Sequence, residues 1–560
     1  MKSLVQYLGL IAVLALGMAL RLWHLDTKPL WSDEIITALF ALGHSAGDIP
    51  VDRFFSLSQL EQLFTPQPTS CAAIATALNT DSLHPPLFFC LMHHWLRWWQ
   101  PSLTEMAYVL RLLPALFGVA TIAAIYLLGR LAFTPAIGLF SAALTAVSPF
   151  TVYLSQEARH YTLPMTGVAL ALSCLVAIHT RLAQGRSPHP GLWLGWIVIN
   201  SLGFYLHYFF LLAVIAQGIL LLALLWAYRH HLRRSHWITA SLALITLGLS
   251  YLPWLWTLLS HVDRPETSWL STTYDSWGTA LAPIYQTLAS WIVMVVIFPI
   301  EADHDGIVIL SAILMVLVAG WLAIHGYRGS QTLLKHSSWC PSTWLLLGFM
   351  LLVLGQFAMI VYGLGKDITV APRYAFVYYP ALCVLLGAGL TVQDTGSRRQ
   401  PIRALALAVG VISVSFTVTG WVFSKPYEPG AVAQMITTDT SRPVVLAVGY
   451  TEPLQQAALG LSYGLAIKAK SDFTQPVSLG LFPVNALWPT LTEQALPTPF
   501  PTHLWVLSRQ GMPNRQDPET LSLATASTPA VLCRRDPDHS GRLHYYYQRY
   551  RCTSRPREAS

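Results

Sequence analysis

The chain has 560 residues and a formal net charge of +7, yet only 11% of its residues are Asp, Glu, Lys or Arg, against roughly 25% in soluble globular proteins. Apolar residues make up 54% and the mean hydropathy is +0.49, which excludes both a soluble globular protein and a disordered chain. The composition is that of an integral membrane protein, and its basic tracts between apolar runs report orientation instead of nucleic-acid binding.

The first apolar run, residues 4–20, lacks a small-residue cleavage site and continues into Arg21, Trp23 and His24, an interfacial end. It reads as a retained anchor. In the polar loop that follows stands Trp31-Ser32-Asp33-Glu34. Two adjacent acids near low dielectric are costly without a task or a partner. The plainer alternative is a solvated pair opening a helix at Ile35, with Ser32 as N-cap. His84-Pro85-Pro86-Leu87 opens a short Trp-rich segment, residues 85–100, and by itself reads only as a Pro-led helix start.

Ten more apolar runs long enough to span lie near 106–129, 135–153, 162–180, 191–209, 210–228, 237–256, 307–326, 343–363, 374–391 and 403–423, giving about eleven spans. Residues 281–299 are apolar but run into acids. The turn Ser155-Gln156-Glu157-Ala158-Arg159-His160-Tyr161 is densely polar. Arg159 is suited to hold an anion, because a guanidinium meets phosphate with a planar fork of donors; alternatively it snorkels beside Glu157 as an anchor. His207-Tyr208 falls at a break between two runs, where a structural role is the default. Lys366-Asp367 and Arg373-Tyr374 form either an interfacial girdle or further positive charge on the same cavity.

Suppose 85–100 and 281–299 lie in the interface or re-enter, and the N-terminus is cytoplasmic. Arg130, Arg181, Arg186, Arg229, Arg233, Arg234, Arg328, Lys335, Arg398, Arg399 and Arg403 then share one side, where Asp394 is the one acid. Most acids, including Asp33, Glu34, Glu157 and Asp367, fall on the other. This bias predicts an external C-terminus. From residue 424 the chain changes character: 23 of its 61 charges lie there, with β-like runs at 444–448 and 503–507 and a Pro-rich linker at 489–501. The expectation is a membrane-embedded domain over 1–423, with a first external loop at 23–105, and a small soluble α/β domain over 424–560. Cys533 and Cys552 in that tail are a candidate disulfide in an oxidising compartment. Cys71, Cys90, Cys174, Cys340 and Cys383 lack metal-ligand spacing and read as packing residues. No Walker loop, GxGxxG, CxxC, HExxH or GxSxG stands in a fitting context, which leaves nucleotide hydrolysis, zinc proteolysis and lipase-type hydrolysis unsupported.

The ordered segments R-L-W-H-L, W-S-D-E, H-P-P-L-F-F, L-R-L-L-P-A-L-F-G, S-P-F-x-x-Y-x-S-Q-E-A-R-H-Y, Y-x-H-Y-F and A-P-R-Y, with Pro380 beyond, carry more than any one alone. Over roughly residues 10–390 the chain resembles bacterial membrane glycosyltransferases of the GT-C class, in the group similar to protein O-mannosyltransferases and aminoarabinose transferases, glycosyltransferase family 39-like. The resemblance implies an all-α polytopic fold with interfacial helices in the first external loop. It further implies inverting transfer of a hexosyl or pentosyl group from a polyprenyl-phosphate donor, on the extracytoplasmic face of a bacterial inner membrane. The acceptor is left open among protein, lipid and polysaccharide. The family's catalytic base in the first external loop matches Asp33, and Glu34 the acid beside it.

The chemistry fits these residue types. A polyprenyl phosphate leaves readily if cations surround its oxygens, a role for Arg159 and Arg373, with Lys366 a third candidate. A weakly nucleophilic hydroxyl needs a carboxylate within reach, which suits Asp33. His84, Gln156, Glu157, Tyr161, His207 and Tyr374 are candidate orienting groups. No residue is assigned as a metal ligand, although His84 with the acids is also a donor set for a divalent ion. Two departures point away from aminoarabinose toward another sugar or acceptor. Ile35, Ile36 and Thr37 stand where an Arg usually follows the acid pair, and His84 stands where a Lys precedes Pro-Pro. Two other classes remain: a transporter or flippase of lipid-linked glycans, which needs the deep charges and repeats that are sparse here, and a sensor with an external ligand-binding domain. The leading reading requires acids and guanidiniums to share one pocket at the outer lipid boundary.

Overall fold

Hydrocarbon offers backbone groups no hydrogen-bond partner, so each apolar run must bond internally as a helix. The computed structural model describes residues 2–261, 264–393, 402–439, 441–451, 453–470, 472–494, 501–508, 518–523, 531–542 and 545–554. Asp394, Arg398 and Arg399 of the charge argument, and 495–500 of the Pro-rich stretch, lie outside them. By packing, the chain divides into a helical unit of residues 1–25, 82–88 and 111–423, and a mixed unit of 26–81, 89–110 and 424–560.

Among the described residues nine helices are long and apolar enough to cross a membrane: Leu4–Leu22, Met106–Ala132, Thr162–Ala183, Phe210–Ala227, Arg234–His261, Trp277–Val295, Asp305–Lys335, Cys340–Gly363 and Ile402–Thr419. Pro135–Ala146 and Pro149–Ser155 form a bent pair at 61°, broken where Pro149 can only open a new helix. The chain is a multi-pass membrane protein. Two expected spans come out shorter, as Pro190–Phe204 and Tyr379–Gln393. The residues cut away form the turn carrying His207 and the 3-10 segment Pro372–Val377 carrying Arg373. Thr162–Ala183 is buried among its neighbours and centres the largest apolar core.

Trp277–Val295 qualifies by length and apolarity, where an interfacial or re-entrant segment is expected. Its two ends are tied to other segments of the helical unit. Near its start, the Tyr362 hydroxyl donates to the Ala280 carbonyl at 2.9 Å, and Tyr274 to Val361 at 2.8 Å. Beyond its end, the Phe423 amide donates to the Glu301 carboxylate at 3.1 Å.

Within the helical unit Arg21 is fully buried. Its guanidinium donates to the carbonyls of Gly17, Thr145 and Ala146 and to the hydroxyls of Thr151 and Ser155, at 3.0–3.2 Å. It pins the first helix to the bent pair.

The mixed unit is built on seven strands: β1 Phe54–Ser56, β2 Val444–Tyr450, β3 Val477–Pro483, β4 Thr502–Ser508, β5 Thr520–Leu523, β6 Val531–Arg542 and β7 Tyr546–Ser554. Their order is β1-β3-β2-β4-β7-β6-β5. β2 runs parallel to β3 and β4, and the remaining pairs are antiparallel. β2 and β4 are buried along their whole length, as the continuous apolar runs Val-Val-Leu-Ala-Val and Leu-Trp-Val-Leu require. The helix Pro453–Lys468 makes the crossover from β2 to β3 and packs on the helix Ser32–Leu42. The Ser462 hydroxyl bonds the Leu30 carbonyl. Cys533 and Cys552 face each other across β6 and β7 and are joined by a disulfide. The α/β character expected for the tail is present. The sequence division at 423/424 does not describe the whole packing, because residues 26–81 and 89–110 pack with the tail, and β1 of the first loop pairs with β3.

Candidate functional site

In the helical unit, breaks between helices bring polar groups together from turns far apart in sequence. The turn 156–161 carries Arg159, His160 and Tyr161, all buried. The Arg159 Nη2 lies 3.2 Å from the His84 Nε2, and its Cζ is 5.8 Å from the centre of the Tyr161 ring. The imidazoles form a chain: His84 to His160 and His160 to His207 are both 4.9 Å between ring centres. Tyr374 closes the group at 6.0 Å from His207 and 6.4 Å from Tyr161, and Arg373 sits 5.8 Å from the Tyr374 ring centre. Phe209 and Phe376 pack on His207 at 5.3 and 4.8 Å.

The electrostatics follow from this packing. Burial, then the positive charges of Arg159 and Arg373, hold His207 down at about 3. Burial also drives His84 well below its ordinary range, followed by the charges of Arg159, His207 and Arg373. His160 is depressed in the same direction by burial and the neighbouring imidazoles before the guanidiniums. Three imidazoles are therefore neutral beside two guanidiniums. The His207 Nδ1 accepts from the Phe209 amide at 3.0 Å, which assigns its proton to Nε2. Neutral imidazoles add no competing charge, so the cluster presents two fixed cations and N–H donors to an oxyanion.

Gln156 and Lys366 have partners of their own, and Glu157 stands in the Arg159 turn. Gln156 serves the end of the first helix: its Nε2 donates to the carbonyls of Leu20, Arg21 and Trp23 at 3.4, 3.3 and 2.8 Å. The Lys366 ammonium bonds the Thr267 hydroxyl at 3.0 Å and the Ser271 hydroxyl at 2.9 Å. It stitches two loops together instead of joining the arginines. Glu157 is buried, and its carbonyl accepts from the Arg159 amide at 2.7 Å. His160 and Phe376 are members that residue-by-residue selection missed. The signal for His160 was present, since it stands inside the S-Q-E-A-R-H-Y run.

The mixed unit holds the acid pair at the N-terminus of Ser32–Leu42, with Trp31 at the cap position. Two carboxylates in a first turn meet the positive end of the helix dipole. Their surroundings differ. Glu34 is fully buried and 3.7 Å from the Lys425 ammonium, and its carboxylate accepts from the Trp31 amide at 3.4 Å. Lys425 in turn lies 5.9 Å from the Trp31 ring centre. Asp33 is half-buried, and its carbonyl accepts from the Thr37 hydroxyl at 2.9 Å. Glu34 is thus built into the fold, and Asp33 is the more accessible acid. Among the described residues, no group of three His, Cys, Asp or Glu side chains is arranged to hold a metal ion.

Residues 84–256 match the family model described as dolichyl-phosphate-mannose-protein mannosyltransferase. That stretch contains the His84, Arg159 and His207 segments, and the match bears out the resemblance to GT-C glycosyltransferases. No curated protein matches the chain. Among solved structures, ArnT from Cupriavidus metallidurans bound to undecaprenyl phosphate aligns with a TM-score of 0.49 at 11% identity, over 96% of this chain and 97% of that one. The Archaeoglobus fulgidus oligosaccharyltransferase in complex with Zn and sulfate aligns with a TM-score of 0.47 at 12% identity, over 90% and 68%. The oligosaccharyltransferase AglB of the same organism, with an inhibitory peptide and a dolichol-phosphate, aligns with a TM-score of 0.44 at 13% identity, over 91% and 70%.

Proposed function

Taking the mannosyltransferase-family match over residues 84–256 as the premise, we propose that this chain is an inverting glycosyltransferase that takes a sugar from a polyprenyl phosphate. Transfer to an acceptor occurs on the extracytoplasmic face of a bacterial inner membrane. The N-terminus is cytoplasmic and the mixed unit is external. The observation that carries this reading is the convergence of the buried Arg159 and the half-buried Arg373 on the imidazoles of His84, His160 and His207.

In this reading the two guanidiniums bind the phosphate oxygens and stabilise the charge that grows on them as the C–O bond to the sugar breaks. His84, His207, Tyr161 and Tyr374 shape the walls around that phosphate. Asp33 takes the proton of the acceptor hydroxyl as it attacks the anomeric carbon. Glu34, through Lys425 and the Trp31 amide, fixes the helix turn that carries Asp33. A single displacement inverts the anomeric configuration.

The test uses the full chain in lipid nanodiscs with a panel of radiolabelled polyprenyl-phosphate sugars and membrane extract as acceptor. Asp33→Asn keeps the size of the side chain and removes the base, so transfer is expected to fall about 10³-fold with donor binding retained. Unchanged transfer would remove Asp33 from the mechanism. A reporter enzyme fused after residue 424 that is active only in the cytoplasm would overturn the orientation.

A further inference from the structure

The mixed unit carries a second pair of cysteines. Cys71 opens the helix Cys71–Asp81, and Cys90 lies on the helix Leu87–Trp99. The Cys90 thiol donates to the Cys71 carbonyl at 3.8 Å. The Cys71 sulfur is also 3.8 Å from the His94 Nε2, one helical turn beyond Cys90. The two sulfurs differ in access: Cys71 is half-exposed and Cys90 is buried. An exposed thiol beside an imidazole is placed for reaction, so the packing role expected for Cys71 does not describe it. The same unit already contains the Cys533–Cys552 disulfide. Whatever oxidant made that bond reaches the compartment in which Cys71 stands.

We infer that Cys71 and Cys90 are a second oxidation site, closed to a disulfide by a dithiol–disulfide oxidant of that compartment. His94 accepts the Cys71 proton. The Cys71 thiolate attacks one sulfur of the oxidant's disulfide, giving a mixed disulfide and one oxidant thiolate. The released oxidant thiolate takes the Cys90 proton, and the Cys90 thiolate then attacks the Cys71 sulfur, forming the intramolecular bond and releasing the second oxidant thiolate, which takes the proton held by His94. The protein loses two protons and two electrons, and the oxidant becomes a dithiol. The buried thiol acts as the resolving partner, which protects Cys71 from further oxidation. The closed ring contains residues 72–89 and so includes His84. This inference does not depend on the transfer reaction.

The experiment is non-reducing alkylation and peptide mass spectrometry on full chain purified from membranes. The expected result is one linked species joining the Cys71 and Cys90 peptides, two hydrogens lighter than the separate thiols, beside the Cys533–Cys552 species. Both thiols alkylated without reduction would overturn it, whatever the state of Cys533 and Cys552, as would a link from either thiol to another cysteine. Reduced protein is then reoxidised with oxidised glutathione. His94→Ala should slow closure about tenfold at neutral pH while the end state is still reached, and an unchanged rate removes His94 from the step. Cys90→Ser should leave Cys71 as a glutathione adduct, and absence of that adduct would show that Cys71 is not the entry thiol.

Discussion

Arg21 and Arg159 are both buried guanidiniums in the helical unit, and they do different things there. Arg21 is surrounded by carbonyls and hydroxyls of the first helix and the bent pair. Each of these contacts belongs to the fold. Arg159 instead meets His84 and the Tyr161 ring, in a group completed by its neighbour His160 and by His207, Arg373 and Tyr374 from two further segments. A buried cation alone therefore does not mark a site. What distinguishes the second region is convergence of ionisable and aromatic side chains on turns, where helices stop early.

The largest expected effect is on the second region. Arg159→Ala should lower transfer by about 10³-fold, the range seen when one preorganised charge-stabilising donor is removed, with expression and thermal stability close to the parent. Arg159→Lys should recover part of the binding and little of the rate, because an ammonium cannot offer the planar fork. If Arg159→Ala instead prevents folding, the contrast collapses and both arginines are structural.

Arg21→Met should do the opposite. Removing the guanidinium takes the side-chain donor from the buried Ala146 carbonyl and leaves the Thr145 carbonyl with the Thr151 hydroxyl alone, at about 3 kcal/mol in stability. The fraction that does fold should transfer sugar at nearly the parental rate per molecule. Thermal unfolding in nanodiscs, paired with activity per folded molecule, separates the two outcomes. A rate loss without a stability loss would move Arg21 into the site.

How much of this was legible differs between the regions for a physical reason. The helices, their breaks and the dense turn at 155–161 are local: a window of twenty residues contains the apolar run, the Pro and the charges. That is why the segments of Arg159, Tyr161, His207 and Tyr374 stand out in the sequence, together with Gln156, whose amide holds the end of the first helix. Partners distant in sequence leave no such trace. Nothing around Glu34 points to Lys425, 391 positions away, and nothing in Phe54–Ser56 marks it as an edge strand for β3. The Thr267 and Ser271 partners of Lys366 leave no local trace either, since they are specified by the return of a loop. The helices at 191–209 and 374–391 are shorter than their apolar runs because the rings of Phe209, Tyr374 and Phe376 score as apolar while packing on His207 outside the helices.

The smallest effect tests whether the imidazoles are neutral because they are buried beside cations. His207, held down at about 3, faces Arg159, Arg373, His84, His160, Tyr161 and Tyr374. In the unfolded chain it would titrate near 6.5. Between those values the unfolded state binds a proton that the folded state refuses, so folding stability falls as pH drops below about 6.5 and is independent of this group above it. The slope approaches about 1 kcal/mol per pH unit for one such group. His84 and His160 act in the same direction. Thermal unfolding of the full chain in nanodiscs from pH 7.5 to 4.5 should therefore show a progressive loss, and His207→Gln should make that loss shallower without changing the plateau above pH 7 by a comparable amount. A profile with the same slope in the variant would mean that His207 takes up its proton in the folded state. The cluster would then hold more positive charge at mildly acidic pH than two guanidiniums supply, and the contrast with the Arg21 region would rest on charge instead of convergence.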